Sequence, residues 1–494
     1  MEVSKHLDVL IVGAGISGID AAYRLQERCP GKSWLILEAR DRVGGTWDLF
    51  RYPGVRSDSD IFTLGFPFRP WRTDQAIVEG PAIRQYVEDT AREFGIFDKI
   101  RFGQQVRRAS WSSADSRWTV ETDDAAFTCS FLWLASGYYD YAQGYRPEWP
   151  GEADFKGRIV HPQFWPDDLD YAGKRVAVIG SGATAVTMIP AIAETAVHVT
   201  MVQRTPSYIV ARPGRDASAA WLQRRLPPSL AGTLIRWKNL LLTIYFYGRA
   251  RKKPEHVSQR IREEIAKALP PGYPVDRDFA PPYNPWDQRL CLVPDGDLFA
   301  ALRSGKASVA TGAIERFTQR GLKLTTGEEV DADVIVTATG LNMKLAGGIA
   351  LSVDGAPVQL PEHFIYKGMM LSGVPNLFLS FGYANASWTL RSDLTARSVC
   401  RLLNRMEKRG VTTCVPQLPG ALEKRPILGL ASGYVDRAKE LLPNQGDRDP
   451  WYVPQHYLRD AAAMILRPID EALEFDNASG AAGGDSQETG EPQS

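Results

Sequence analysis

Cysteine is scarce and never closely spaced: Cys29, Cys129, Cys291, Cys400 and Cys414 are the only five, and no Cys-x-x-Cys occurs. An odd, scattered set argues against a disulfide framework, a zinc site and a dithiol redox centre, and it fits a reducing, cytoplasmic setting. No metal is expected. Neither charge sign is in excess, with 58 Lys+Arg against 58 Asp+Glu, which argues against a broad nucleic-acid-binding surface. Apolar runs stay short of the roughly 18–20 residues that span a bilayer. The run from Val9 to Val12 follows Asp8 and is ended by glycines, unlike a signal peptide. What the chain does have is bulk: 494 residues, 44% hydrophobic, with 13 Trp. That is core enough for two to four domains at about 100–200 residues each. Oligomeric state leaves no readable trace.

The glycines are organised. Leu7 to Val12 is a short buried-type strand, followed by Gly13-Ala14-Gly15-Ile16-Ser17-Gly18, a helical pattern, and a second strand closed by Glu38. Such glycines permit a tight turn and let backbone approach a pyrophosphate at a helix N-terminus. The carboxylate 20 residues after Gly18 stands where it can accept ribose hydroxyls. The same grammar returns at Arg175 to Ile179 and Gly180-Ser181-Gly182-Ala183-Thr184-Ala185-Val186, then His198 to Val202. There the second strand ends in Gln203-Arg204-Thr205, with no acid. Arg204 beside the Thr205 hydroxyl suits a 2′-phosphate that a carboxylate would repel. An acid-ended and an arginine-ended site in one chain predict FAD in the first and NADPH in the second. Reduced flavin then needs an acceptor; with no redox cysteine pair, molecular oxygen leads.

The predicted fold is α/β, with two nested Rossmann-like dinucleotide-binding domains and a helical insertion. Residues 1–143 and 341–477 are assigned to the FAD domain, 151–212 and 287–340 to the NADP domain, and 213–286 to the insertion. Residues 144–151 are the linker, and 478–494 a disordered tail.

One segment carries a family resemblance. Phe155-Lys156-Gly157-Arg158-Ile159-Val160-His161-Pro162-Gln163-Phe164-Trp165-Pro166 fits FxGxxxHxxxW and resembles the fingerprint of type I Baeyer–Villiger monooxygenases. Gly44-Gly45-Thr46-Trp47, Tyr52-Pro53-Gly54 and Asp58 meet a second pattern of that family. The wording around residues 45–60, 165–171 and 283–297 is most similar to the ethionamide-activating subgroup. The resemblance implies an FAD- and NADPH-dependent enzyme that uses O2, through a C4a-peroxyflavin and a Criegee adduct, to turn a small hydrophobic ketone into an ester or lactone. Oxygenation of sulfides, thioamides or amines is the alternative.

The resemblance also implies roles. Arg289 is the active-site arginine, and Asp58 the carboxylate that holds it beside the flavin. Gly45, Thr46, Trp47, Asp48 and Leu49 approach the flavin, while Arg56 and Ser57 face NADP. Val106 offers its backbone to the adenine. His161 and Trp165 organise domain movement and NADP contact. The segment from Gly382 to Thr389 lines the flavin and substrate pocket. Gln288 departs from the Lys that several members carry there, which leaves more of the cofactor discrimination to Arg204 and Thr205. Lastly, Trp237 to Tyr247 is apolar and aromatic and precedes Arg249, Arg251, Lys252 and Lys253. It fits either a membrane surface or a buried helix of the insertion, and burial is the expected state.

Overall fold

The computed structural model describes residues 5–429 and 433–476; the expected tail lies outside them. In the first nucleotide-type unit, strand β1 (Leu7–Val12) leads through the glycine turn into helix α1 (Ile16–Arg28) and strand β2 (Trp34–Leu37). β1 and β2 pair in parallel, Val9 opposite Trp34, and β1 also pairs in parallel with Ala126–Leu134. Ile11 packs toward α1 among Ile19, Ala22 and Leu25, while Leu10 faces Trp111 and Trp118. Covering both faces is why β1 is a continuous apolar run instead of an alternating one. Late strands complete this sheet: Ala350–Val353 pairs with Val106–Ser112, and Leu377–Leu379 with Ala126–Leu134.

The second sheet is wholly parallel. Its order is Ala307–Thr311, β4 (His198–Gln203), β3 (Arg175–Ile179), Val334–Thr337 and Arg158–Val160. Helix α2 (Ala183–Ala193) follows the second glycine turn. The chain crosses between the sheets twice, and the crossings pair with each other: Tyr139–Gly144 runs antiparallel to Leu341–Met343. The Thr339 hydroxyl donates to the Tyr145 carbonyl at 2.6 Å, tying the two crossings together.

The insertion is helical, with α3 (Pro228–Lys252) its longest member. It leaves after Ile209–Arg212 and returns at Cys291–Pro294, and those strands pair side by side. The expected burial of α3 does not hold. Ala231, Ile235, Leu240 and Ala250 turn inward, but Trp237, Leu241 and Tyr245 are 43%, 50% and 57% exposed. The helix is apolar on more sides than the protein can cover.

Helix α4 (Trp388–Arg409) packs along α1, and the seam holds a buried acid. Asp20 is fully buried. Burial first, then neighbouring Asp393, pushes its pKa well above the usual carboxylate range. A raised folded pKa means the neutral acid's stability is complete below the unfolded value and lost as pH rises toward the folded one. Asp20→Asn should therefore gain on the wild type as pH rises from 5 to 8, by about 2 °C in Tm. Thermal melts across that range check this; a pH-independent difference contradicts it.

Candidate active site

The first glycine turn is set by backbone contact. Gly13 has φ +105°, and a Cβ there would lie 2.8 Å from the Ala135 carbonyl. A Cβ on Gly18 would lie 1.9 Å from the Gly13 carbonyl. Glu38, buried at the end of β2, accepts from the Ala14 amide at 2.6 Å and the Arg40 amide at 3.0 Å. Burial pushes its pKa up. Across a cavity of about 460 Å³, Gly15, Ser17, Gly45, Thr46 and Trp47 face Val106 at the start of its strand. Ser17 accepts from the Trp388 indole at 2.7 Å, which ties the N-terminal end of α4 to the turn.

Two expected flavin contacts do not line this cavity. Asp48 turns away and is 2% exposed. Its carboxylate takes Arg40 at 2.5 Å and Arg51 at 3.5 Å. It therefore positions Arg40, which does line the cavity. Leu49 packs beside it as core.

Asp58 and Arg289 meet at the cavity wall, Arg289 Nη1 lying 3.5 Å from Asp58 Oδ2. The neighbouring carboxylate holds the arginine's pKa well above its ordinary value, outweighing burial. Arg289 ends a tight loop in which Asp287 Oδ2 accepts from the Asn284 amide at 3.1 Å. Arg251 of α3 braces that loop through Asp287 at 2.6 Å. Arg56 and Ser57 also line the cavity; Arg56 is paired with Asp297 at 2.6 Å, and Ser57 donates to the Ser59 carbonyl at 2.8 Å.

The second turn opens on the same cavity only through the first turns of α2: Ala183, Thr184 and Thr187 line it. Gly180, Ser181, Gly182, Ala185, Val186, Arg204 and Thr205 lie outside it. Gly180 has φ +133°, and its Cβ would meet the Ala338 carbonyl at 2.3 Å, whereas a Cβ on Gly182 would meet nothing within 4 Å. The hydroxyl of Ser181 donates to the Thr205 carbonyl at 2.9 Å, joining the turn to the end of β4. Arg204 is exposed, with no carboxylate in ion-pair range among the described residues. Ala185 and Val186 are buried in the α2 core.

His161 and Trp165 also lie outside the cavity. His161 Nδ1 accepts from the Gln163 amide at 3.2 Å, and its ring covers Gly144, where a Cβ would lie 2.1 Å away. Burial lowers its pKa. Trp165 packs edge-on to Tyr171 at 6.0 Å. Both brace the entry to the second sheet.

Sequence reasoning missed the aromatic wall beside Arg289. Tyr138 and Tyr139 line the cavity with their hydroxyls 3.2 Å apart, and burial pushes Tyr139 up to about 12. Tyr141 bonds Thr46 at 3.3 Å. The signal available was the aromatic run after the Ser136-Gly137 strand exit. The segment from Gly382 onward does supply Tyr383, Ala386 and Trp388. Tyr383 donates to Asp460 at 2.8 Å, and Asp460 pairs with Arg391 at 2.6 Å with both side chains 3% exposed.

A family model described as pyridine nucleotide-disulphide oxidoreductase matches residues 10–231. All five cysteines are buried and free, and none lines the cavity. The FAD-containing monooxygenase EthA of Mycobacterium tuberculosis is 53% identical over 480 residues, 96% of this chain and 98% of that protein. Among solved structures, an oxidized steroid monooxygenase bound to NADP aligns with TM-score 0.74 at 22% identity, covering 96% of this chain and 100% of that one. A cyclohexanone monooxygenase bound to ε-caprolactone aligns with TM-score 0.72 at 20% identity over the same shares. These two share the fold. With near-complete coverage at 53% identity to EthA, and with the first glycine turn and the Asp58–Arg289 pair on one cavity, the chain belongs to the FAD-containing monooxygenases.

Proposed function

We propose that this enzyme binds FAD and NADPH and inserts one oxygen atom from O2 beside the carbonyl of a small hydrophobic ketone, giving an ester or lactone. The observation that carries this reading is Arg289, a permanently charged guanidinium braced by Asp58 at 3.5 Å on the wall of the glycine-turn cavity. FAD fits the first unit: Gly13 and Gly18 close the turn against backbone, and Glu38 stands ready for ribose hydroxyls. NADPH fits the second: the space over Gly182 is what a pyrophosphate needs, and Arg204, with no ion-pair partner among the described residues, is a cation for a 2′-phosphate. Bound and reduced, the flavin supplies oxygen activation, and the protein supplies orientation and electrostatics.

The chain's own residues then have separate tasks. Arg289 presents paired donors to negative charge developing on the substrate's carbonyl oxygen. Asp58 keeps the guanidinium charged and aimed. Tyr138 and Tyr139 stay protonated at working pH, so they add no competing anion. Tyr383 and Trp388 form an apolar wall that excludes water.

Arg204→Ala should raise the NADPH KM about 10–100-fold, the scale of a lost charge-assisted hydrogen bond. The NADH KM should be unchanged; an equal change for both cofactors contradicts the 2′-phosphate role. The reaction itself is tested by giving the FAD-loaded protein NADPH, air, a long-chain methyl ketone and an aryl methyl sulfide in one vessel. Ester as the main product supports the proposal. Sulfoxide without ester overturns it in favour of sulfur oxygenation.

A further inference from the structure

We propose that the outer face of α3 docks on an anionic phospholipid bilayer. Among the described residues, eight of the fourteen exposed large hydrophobic side chains fall within residues 221–246. Leu230, Leu234, Trp237, Leu241 and Tyr245 recur at spacings of three and four, so they share one helix face. At about 1.5 Å per residue this stripe runs roughly 22 Å. No helix among the described residues is long and apolar enough to cross a membrane, so the contact is one of lying on the surface.

Charge selects the occupant. Between residues 217 and 253 the chain has eight Lys or Arg and no Asp or Glu, within a protein of zero net charge. Three of the eight are engaged: Arg236 by the carbonyls of Phe62, Thr63 and Gly65, Lys238 by Asp216, and Arg251 by Asp287. Arg224, Arg225, Arg249, Lys252 and Lys253 have no carboxylate in ion-pair range among the described residues. They flank the apolar stripe at both ends, where lipid phosphates would meet them. A second copy of the chain fits less well. Antiparallel pairing of two such helices would set Arg224 and Arg225 of each against the other's Arg249 to Lys253 cluster, cation against cation.

The inner side of the same helix reaches the active site. Leu240 and Ile244 pack with Tyr383 and Ala386, which line the cavity. Tyr247 lies edge-on to Trp286 at 5.4 Å, in the loop that ends at Arg289. A bilayer on the outer face would place dissolved apolar substrate one helix away from the cavity. The docking surface holds whichever atom the enzyme oxygenates.

The test is sedimentation of the FAD-loaded protein with phosphatidylcholine vesicles, with and without phosphatidylglycerol. Binding is expected only to the anionic vesicles and should weaken with salt. Leu241→Glu combined with Tyr245→Glu should cut it at least about tenfold. Lys252→Gln and Lys253→Gln should each cut it about fivefold. FAD content and NADPH oxidation without vesicles should be unchanged throughout. Absence of wild-type binding to anionic vesicles, or binding indifferent to all four substitutions, overturns the proposal. So does a dimer, seen by analytical ultracentrifugation, that the two glutamates dissociate while vesicles bind nothing; that face would then belong to a second copy.

Discussion

Arg289→Ala should retain bound, NADPH-reducible flavin and lose ester formation by about 10³-fold, the upper range for removing one preorganised charge stabiliser. The separation of the two readouts follows from geometry. Arg289 enters on the loop that closes the insertion, whereas the proposed FAD cradle, Gly13, Gly15 and Glu38, comes from the first glycine turn and the strand after it. Asp58→Ala should follow the same pattern more mildly, because the guanidinium remains but loses the carboxylate that holds it in place. Arg289→Lys should recover little: an ammonium keeps the charge but not the planar fork. Single-turnover flavin reduction alongside ester quantification checks this. Ester formation at wild-type rate in Arg289→Ala removes the arginine from the chemistry.

The two glycine turns should fail in different ways. Gly18→Ala places a Cβ 1.9 Å from the Gly13 carbonyl, and a backbone group cannot yield as a flexible side chain would. That protein should be isolated without FAD, or not be isolated at all. Gly182→Ala meets no atom of the described residues within 4 Å, so it should fold, hold FAD and melt like the wild type. Its new methyl occupies the space assigned to the pyrophosphate, and the NADPH KM should rise by about 10²-fold, the scale of an ångström-sized misplacement. Flavin absorbance per mole of protein, with NADPH titrations, reads both variants. Equal flavin loss in the two would contradict the division of labour between the units.

Much of this was legible in the sequence because backbone collisions leave a residue-type signature. Only glycine fits where Gly13, Gly18 and Gly180 stand. Glu38 was legible from its place at the end of the second strand, 20 residues after Gly18. The Asp58–Arg289 pair came from resemblance: its members lie in different units, and no local spacing joins them. Other features hid for physical reasons. His161 and Trp165 are conspicuous in the fingerprint, but a short helical turn holds them at the domain entry, outside the cavity. Asp48 sits among cavity-lining neighbours, yet one helical turn directs it back to Arg40. Tyr138 and Tyr139 belong to no motif and reach the cavity because the crossing strand passes it. The exposure of α3 was hidden because its sequence is apolar on several faces, so periodicity does not say which one the protein covers.

The decisive measurement of the reaction is isotopic. FAD-loaded enzyme, NADPH and a long-chain methyl ketone are incubated under ¹⁸O₂, and the product is fragmented in a mass spectrometer. The product should be an ester carrying a single ¹⁸O in the bridging position, with one NADPH consumed per ester. NADPH consumption that yields only peroxide from every ketone, while an aryl sulfide emerges as labelled sulfoxide, would contradict it.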